Sequence, residues 1–420
     1  MQYRVIGKIV DSLIVFMLIM SAGGMLFVLN RNIASVVFLL FILFVLIFME
    51  NKWKKTIINS ILLTFSILVV LGSINYFVVE TEQAADKYLF HLLTVTLSVL
   101  ALFHFKNNQT SQQLIKSLHV VLGLILFHAL FSFIAFLFVR NSLIAISTDY
   151  NEHETFLHIF FYITDSKTIN LFGLEFCRNQ GLFWEPGVLQ VFLNMFFFLE
   201  AFIIKKRKSL LLLTAIVILT TYSTTGLALL LIQSLVYLFN EFKTNKWFMP
   251  FILALGIPIY IIFSLNVEEK IQGEKQTSFQ KRYFDLIQPL FIALENPLTG
   301  IGLDVEQFQN MRQEFYISSS SLNSIQVKTG VESKANGTDK GSSNSITFLM
   351  AAMGFPTAIF VLYMFFKQQI IKEKKWIWML IMVVSIMSEP LLLRPFFLLF
   401  IVSGFTYVFY KITSHKQQIA

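Results

Sequence analysis

The chain is poor in the residues that most enzymes use to hold a metal, a nucleotide or a nucleophile. Its single cysteine, Cys177, excludes an intrachain disulfide and any cysteine-based metal site. Its seven histidines show no ligand spacing: His153 and His158 stand five apart, with no second pair nearby. No glycine-rich phosphate loop, Asp-x-Asp pair or Gly-x-Ser-x-Gly turn occurs, so nothing calls for a nucleotide, a metal or another cofactor. Charged residues are scarce, at 14%. The net charge of +8 has no basic stripe interleaved with aromatics behind it, and nucleic acid is not expected as a partner.

What the chain has instead is apolar length. Hydrophobic residues make up 56% of its 420 positions, 47 residues are phenylalanine, and the mean hydropathy is +0.68, a composition that no soluble domain shares. Apolar runs recur at 12–29, 33–49, 57–79, 88–105, 118–139, 188–204, 210–222, 226–240, 248–265, 345–366, 376–391 and 396–410, near the ~20 residues that cross a bilayer. The predicted fold class is all-α, a polytopic membrane protein of about twelve transmembrane helices. Met1 to Asn30 reads as a retained first helix rather than a secretory signal, because many spans follow and no small-residue cleavage site stands out.

Leu210 to Asn240 is long for one helix and short for two, with a hydroxyl-rich centre from Thr220 to Thr225. Charge decides for two. The split puts 19 of the 33 basic residues on the side of both termini, including the clusters at Lys205 to Lys208 and Lys367 to Lys375, and the positive-inside rule makes that side cytoplasmic. The expected organisation is five helices over 1–139, an extracytoplasmic loop over 140–187, four helices over 188–265, a large extracytoplasmic loop over 266–344, and three helices with a cytoplasmic tail over 345–420. The expected location is the cytoplasmic membrane, with both termini cytoplasmic.

Both long loops emerge on the outer face, so the working surface is external. In the first, Glu154 to Thr164 is apolar but too short to span, and is expected to lie in the interface or re-enter. Asn170 to Trp184 alternates as an extended or hairpin segment does. In the second, Phe279, Tyr283, Leu286, Leu290 and Leu294 predict an amphipathic helix that Pro289 should kink or end. A turn-rich joint, Asn296 to Gly302, follows, and Ser318 to Ser343 reads as a mobile segment.

Two groups of charges invite a chemical reading. Arg178 and Glu185 stand directly before the apolar run that opens at Val188, where a charge carried to the bilayer centre would cost roughly 2.5–3.5 kcal/mol. With Pro186 suited to a first helical turn, Glu185 is either a helix-terminal charge, favoured there by roughly 0.3–1 kcal/mol, or a base for an acceptor hydroxyl. The outer-face arginines, among them Arg178, Arg282, Arg312 and Arg394, suit a pyrophosphate-linked lipid. The plainer reading pairs them with headgroups or acids, as Arg394 with Glu389.

Four stretches, in order, resemble the O-antigen polymerase and ligase superfamily: Arg178 to Gly187, Thr221 to Gly226, Asn296 to Gly302, and Ser343-Asn344-Ser345 leading to Met353-Gly354. The resemblance implies a membrane glycosyltransferase that takes sugar repeats from a polyprenyl-pyrophosphate carrier. It implies catalytic roles for Arg178, Glu185 and Arg282, and substrate contacts at Asn296, Gly300, Gly302, Arg312, Asn344 and Arg394. Membrane lipid, a chain-length regulator and a flippase are the further partners it suggests. Ligases of the family show a histidine directly before the asparagine that opens the span after the large loop. Here that position is Ser343, which favours the repeat-unit polymerase for O-antigen, capsule or exopolysaccharide over the ligase. A rival class is a lipid-linked oligosaccharide flippase or another transporter, but transporters place charges mid-membrane and these spans are nearly charge-free.

Overall fold

The computed structural model describes residues 2–49, 53–79, 81–108, 111–147, 152–163, 168–171, 174–205, 207–242, 276–318 and 342–419, with scattered positions between 250 and 267. Most of the expected span 248–265 and the segment 319–341 lie outside the described residues. In chain order the helices are α1 (Gln2–Ser21), α2 (Met25–Leu29), α3 (Arg31–Phe48), α4 (Lys55–Val78), α5 (Ala85–Asn108), α6 (Ser111–Val139), α7 (Pro186–Phe198), α8 (Lys208–Thr221) and α9 (Thr224–Phe242). The second half adds α10 (Gln276–Glu295), α11 (Val305–Ser318), α12 (Ser345–Phe366), α13 (Lys375–Ser388) and α14 (Pro395–Ile419). Seven described helices are long and apolar enough to cross a membrane, and three more are apolar but shorter. The chain is an all-α polytopic membrane protein.

It divides into two compact units, one of residues 1–31, 115–275 and 371–385, the other of 32–114, 276–370 and 386–420. In the first, α7 is the centre: every residue from Pro186 to Phe198 is buried, as befits a helix apolar nearly all round. Its two polar residues face each other's needs. Asn194 Nδ2 donates to Gln190 Oε1 at 3.0 Å, and Gln233 Nε2 on α9 donates to Asn194 Oδ1 at 2.8 Å. The last turn of α7 widens into a π-turn, Leu199–Ile204, closed by Lys205 in the left-handed region. There the buried Glu200 carboxylate meets His119 Nε2 at 2.6 Å and the backbone N–H of Arg207 at 2.6 Å. Between α8 and α9 the chain breaks at Tyr222 (φ 46°), within the hydroxyl-rich stretch.

The described part of the first long loop is built mainly of short strands. It carries a three-stranded antiparallel sheet, β1 (Ile144–Ser147), β2 (Glu152–Phe156) and β3 (Phe160–Ile163), and a hairpin, β4 (Thr168–Leu171) with β5 (Leu174–Cys177). The apolar stretch from Glu154, expected to lie in the interface or re-enter, supplies most of β2 and all of β3. Phe160, Phe161, Tyr162 and Ile163 are the aromatic and β-branched residues that suit a pleated, buried face, and all four are buried. Tyr162 packs on Phe136 and donates its hydroxyl to the Ser132 carbonyl at 2.7 Å.

In the second unit α4, α5 and α14 pack together, and α12 packs on both α10 and α14. Hydrogen bonds from Ser98 to the Pro395 carbonyl and from Lys106 to Thr406 show α5 and α14 running parallel. Two prolines shape this unit in opposite ways. Pro289 does not end α10, which continues to Glu295, whereas α12 breaks at Gly354 (φ 71°, ψ 165°), two residues before Pro356.

Candidate functional site

In the first unit the chain leaves β5 and docks on the C-terminal end of α8. A helix end leaves carbonyls without intrahelical partners, and here consecutive residues supply the donors. The Asn179 N–H donates to the Thr220 carbonyl at 3.0 Å, and Arg178 Nε donates to the Thr221 carbonyl at 3.0 Å. The guanidinium thus sits at the negative pole of α8. Asn179 is fully buried, its amide donating to the Ala129 carbonyl at 2.8 Å and its oxygen accepting from Gly181 N–H at 3.1 Å. Beyond it the chain pairs with the gap between α1 and α2: Met25 N–H donates to the Leu182 carbonyl at 2.8 Å and Trp184 N–H to the Gly23 carbonyl at 3.1 Å. The expected first span is interrupted there.

Glu185 is extended (φ −145°, ψ 150°) and is the residue before the first turn of α7, with Pro186 inside that turn. Its carboxylate makes no capping hydrogen bond to the helix and is half-buried. The carboxylate sits at the positive helix end without being spent on it.

In the second unit three segments meet around Asp285. Its carbonyl has lost its intrahelical donor, because residue i+4 is Pro289 and proline has no N–H. Two hydroxyls replace it, Ser342 at 2.9 Å and Thr347 at 3.1 Å. The Asp285 carboxylate accepts from Ser343 N–H at 3.0 Å. Asn344 caps α12, accepting from Ile346 and Thr347 N–H at 3.0 and 3.2 Å. Ser345 donates to the Glu389 carbonyl at 3.0 Å and accepts from Leu391 N–H at 3.0 Å. The cluster is buried, with Asp285 at 0%, Ser342 at 3% and Glu389 at 3% exposure. Arg282, one turn before Asp285, is the part that reaches outward: its side chain is 39% exposed and its guanidinium lies 3.7 Å from the Glu389 carboxylate. Glu389 thus faces Arg282. Arg394 stands at the start of α14, its N–H donating to the Leu391 carbonyl at 3.0 Å.

Asn296, Gly300 and Gly302 belong to a joint built from backbone. The break in α12 frees the carbonyls of Ala351 and Ala352, and the N–H groups of Ile301 and Gly302 take them, both at 2.9 Å. In exchange Phe355 N–H donates to the Pro297 carbonyl at 2.8 Å. Gly300 (φ 68°) has no room for a side chain, since a Cβ would lie 2.5 Å from the Ala351 carbonyl oxygen. The side chain of Arg312, on α11, lies outside the described residues.

Arg178 and Glu185 therefore belong to one unit, and Arg282, Asn296, Gly300, Gly302, Asn344 and Arg394 to the other. The sequence reading did not single out Asp285, Ser342, Thr347 or Asn179. For Asp285 the signal was present: an acid one turn after Arg282 and four residues before a proline. Among the described residues no group of three or more His, Cys, Asp or Glu side chains is placed to hold a metal ion.

Residues 209–362 match the family model described as O-antigen ligase, which takes in α8, α9, α10, the joint and most of α12. No curated protein and no solved structure matches the chain.

Proposed function

We propose that the chain, whose residues 209–362 match the O-antigen ligase family model, polymerises polyprenyl-pyrophosphate-linked oligosaccharide repeats on the outer face of the cytoplasmic membrane. The family brings a membrane enzyme acting on lipid-linked oligosaccharide. What favours polymerase over ligase is Ser343. It occupies the position where ligases of this type carry a histidine, and its N–H is held on the Asp285 carboxylate.

In the proposed reaction an acceptor sugar hydroxyl attacks the anomeric carbon of the carrier-linked chain. The new C–O bond forms as the bond to the pyrophosphate oxygen breaks. The hydroxyl proton passes to a carboxylate, for which Glu185 is the candidate, and the carrier pyrophosphate leaves with the bonding pair. Arg178 is assigned to phosphate charge, a role in which a guanidinium in a partly desolvated setting is effective, and Arg282 is a separate candidate for that role in the second unit. The ligase remains the second reading, on the description of the matching family.

The test is the envelope polysaccharide ladder of a deletion strain complemented with the native chain or with Arg178→Ala at matched protein levels. Core bearing a single repeat in both the deletion and the variant supports the polymerase. Lipid-linked polymer accumulating without transfer identifies a ligase, and single repeats trapped on the inner face identify a flippase.

A further inference from the structure

The β2–β3 hairpin lies alongside α6, and α6 carries its own measure of depth. Lys116 and Arg140 frame its apolar stretch, with no Asp, Glu, Lys or Arg between them. One face of that stretch, Leu124, Phe127, Phe131, Ile134 and Phe138, is exposed at alternating steps of three and four, as on a spanning helix that turns one stripe to lipid. At 1.5 Å per residue His128 stands about 18 Å from either charge. An apolar core of ~30 Å, whether laid from Lys116 or centred between the two charges, puts His128 about 12–15 Å below the edge on the Arg140 side. The hairpin reaches that level. The Ile159 carbonyl, in its turn, accepts from His128 Nε2 at 2.9 Å, Phe160 packs on Phe131, and Tyr162 packs on Phe136. The turn therefore points down α6, and β3 climbs back towards Arg140.

We propose that the β2–β3 hairpin re-enters the membrane and that its tip docks in the acyl chains of the leaflet on the Arg140 side. Leu157 and Ile159 are 65% and 42% exposed, and through His128, set between Phe127 and Phe131, the tip continues the lipid-facing stripe of α6. Leu157 and His158 hold φ angles of 48° and 59° at the centre of a turn closed by Ile159 N–H on the Phe156 carbonyl at 2.9 Å. In water such a left-handed pair is best filled by Asn-Gly; a leucine there gains only where its surroundings are apolar. Backbone within hydrocarbon has to find its partners in the protein, and here it does. β2 and β3 pair from His153–Ile163 to Phe156–Phe160, the Phe160 carbonyl accepts from Thr155 Oγ1 at 2.7 Å, and Phe161 N–H donates to the Gly181 carbonyl at 3.2 Å. The acids of β2 lie away from the tip. Glu154 and Glu152 are three and five residues from Leu157, about 10 and 17 Å along a strand, which returns them to the membrane edge. His158, the polar side chain of the tip, rests edge-on against the Phe161 ring at 6.5 Å. The arrangement also explains a histidine in mid-span: His128 supplies a donor to the Ile159 carbonyl at a depth where water cannot.

The experiment uses the full chain in liposomes of phosphatidylethanolamine and phosphatidylglycerol. On a Cys177→Ser background, Leu157→Cys, Ile159→Cys, Leu124→Cys and Asn141→Cys are each labelled with a nitroxide. Collisions with oxygen, which concentrates in hydrocarbon, and with a water-soluble nickel chelate are then measured by power-saturation EPR. Leu124 is the lipid reference, and Asn141, exposed just beyond Arg140, is the surface reference. The ratio of oxygen to nickel collisions at 157 should match that at 124 and exceed that at 141 by about tenfold or more. Ile159→Cys gives the same reading should Leu157→Cys fail to fold, as judged by its unfolding temperature. A ratio at the tip equal to that at 141 puts the hairpin in water and overturns the proposal. Few collisions with either reagent overturn it as well, because the tip is then covered by protein, as in an association of two copies. The readout is independent of the polysaccharide ladder, so loss of the proposed function leaves the result for the hairpin intact.

Discussion

Arg178 contributes two different things through one side chain. Its Nε is committed to the Thr221 carbonyl at the end of α8, so the rest of the planar fork is held in one orientation rather than swinging on a flexible stem. A lysine would keep the charge and lose that geometry. Arg178→Lys is therefore expected to reduce polymer synthesis by roughly 10²-fold, close to the effect of Arg178→Ala and in the range for removing one transition-state donor. Full rescue by lysine in the complemented strain would show that charge alone suffices. Next to it, Cys177 is half-buried, and burial is the main influence raising its thiol above the ordinary value. Arg140 opposes the shift and Glu154 adds to it. A raised pKa means less thiolate at neutral pH, so alkylation by iodoacetamide should be slower than for free cysteine at pH 7.5. Its rate should go on climbing at pH values where free cysteine has levelled off. A labelling series from pH 7 to 10 on the folded and denatured chain measures this directly.

Helices α10 and α12 show how a proline's cost is relieved by a neighbour. The lost bond at Pro289 is made good by Ser342 and Thr347, so removing both hydroxyls leaves a buried carbonyl unpaired, at about 1–3 kcal/mol. Ser342→Ala with Thr347→Ala should lower the thermal unfolding temperature in detergent. Adding Pro289→Ala should restore much of it, because residue 289 then supplies the missing N–H. If the triple variant is no more stable than the double, the compensation argument is wrong. Gly300→Ala is expected to be worse, since it puts a Cβ 2.5 Å from backbone atoms at a φ of 68° and adds about 1–2 kcal/mol of left-handed strain. Its measure is the yield of folded protein. These elements also mark what the sequence could tell. Apolar runs coincide with α3 to α9 and with α12 to α14, and the charge balance called for the break that falls at Tyr222. The continuity of α10 was illegible because its compensation comes from 57 and 62 residues away. Strands β1 to β3 were hidden for a related reason, whereas the β4–β5 hairpin overlaps the stretch read as extended or hairpin. An apolar run of four residues has the same composition in a membrane interface as in a sheet, and only partners such as Phe136 distinguish the two.

For the whole molecule, the outstanding property is orientation. The positive-inside argument predicts that the segment before α7 is outside, and the lone cysteine lies in that segment, so it can report on the prediction. In intact cells a membrane-impermeant maleimide, given long enough at pH 8.5, should label Cys177, and Cys177→Ser should abolish the signal. Labelling only after the membrane is permeabilised would invert the assigned topology. Of the candidate site, the sequence singled out Arg178 and Arg282, because an arginine before an apolar run or on an amphipathic helix is conspicuous. It could not rank them against the cluster around Asp285, whose members are ordinary residues made important by burial. The joint between the Asn296–Gly302 turn and broken α12 has a last consequence. Its bonds run from main chain to main chain, so apart from Gly300 and Gly354 they place few demands on side-chain identity at 297–301 or 351–355. What a diverging lineage has to keep is the interval between Gly300, Gly302, Gly354 and Pro356. Distant relatives of this chain are therefore better sought by that spacing than by identity.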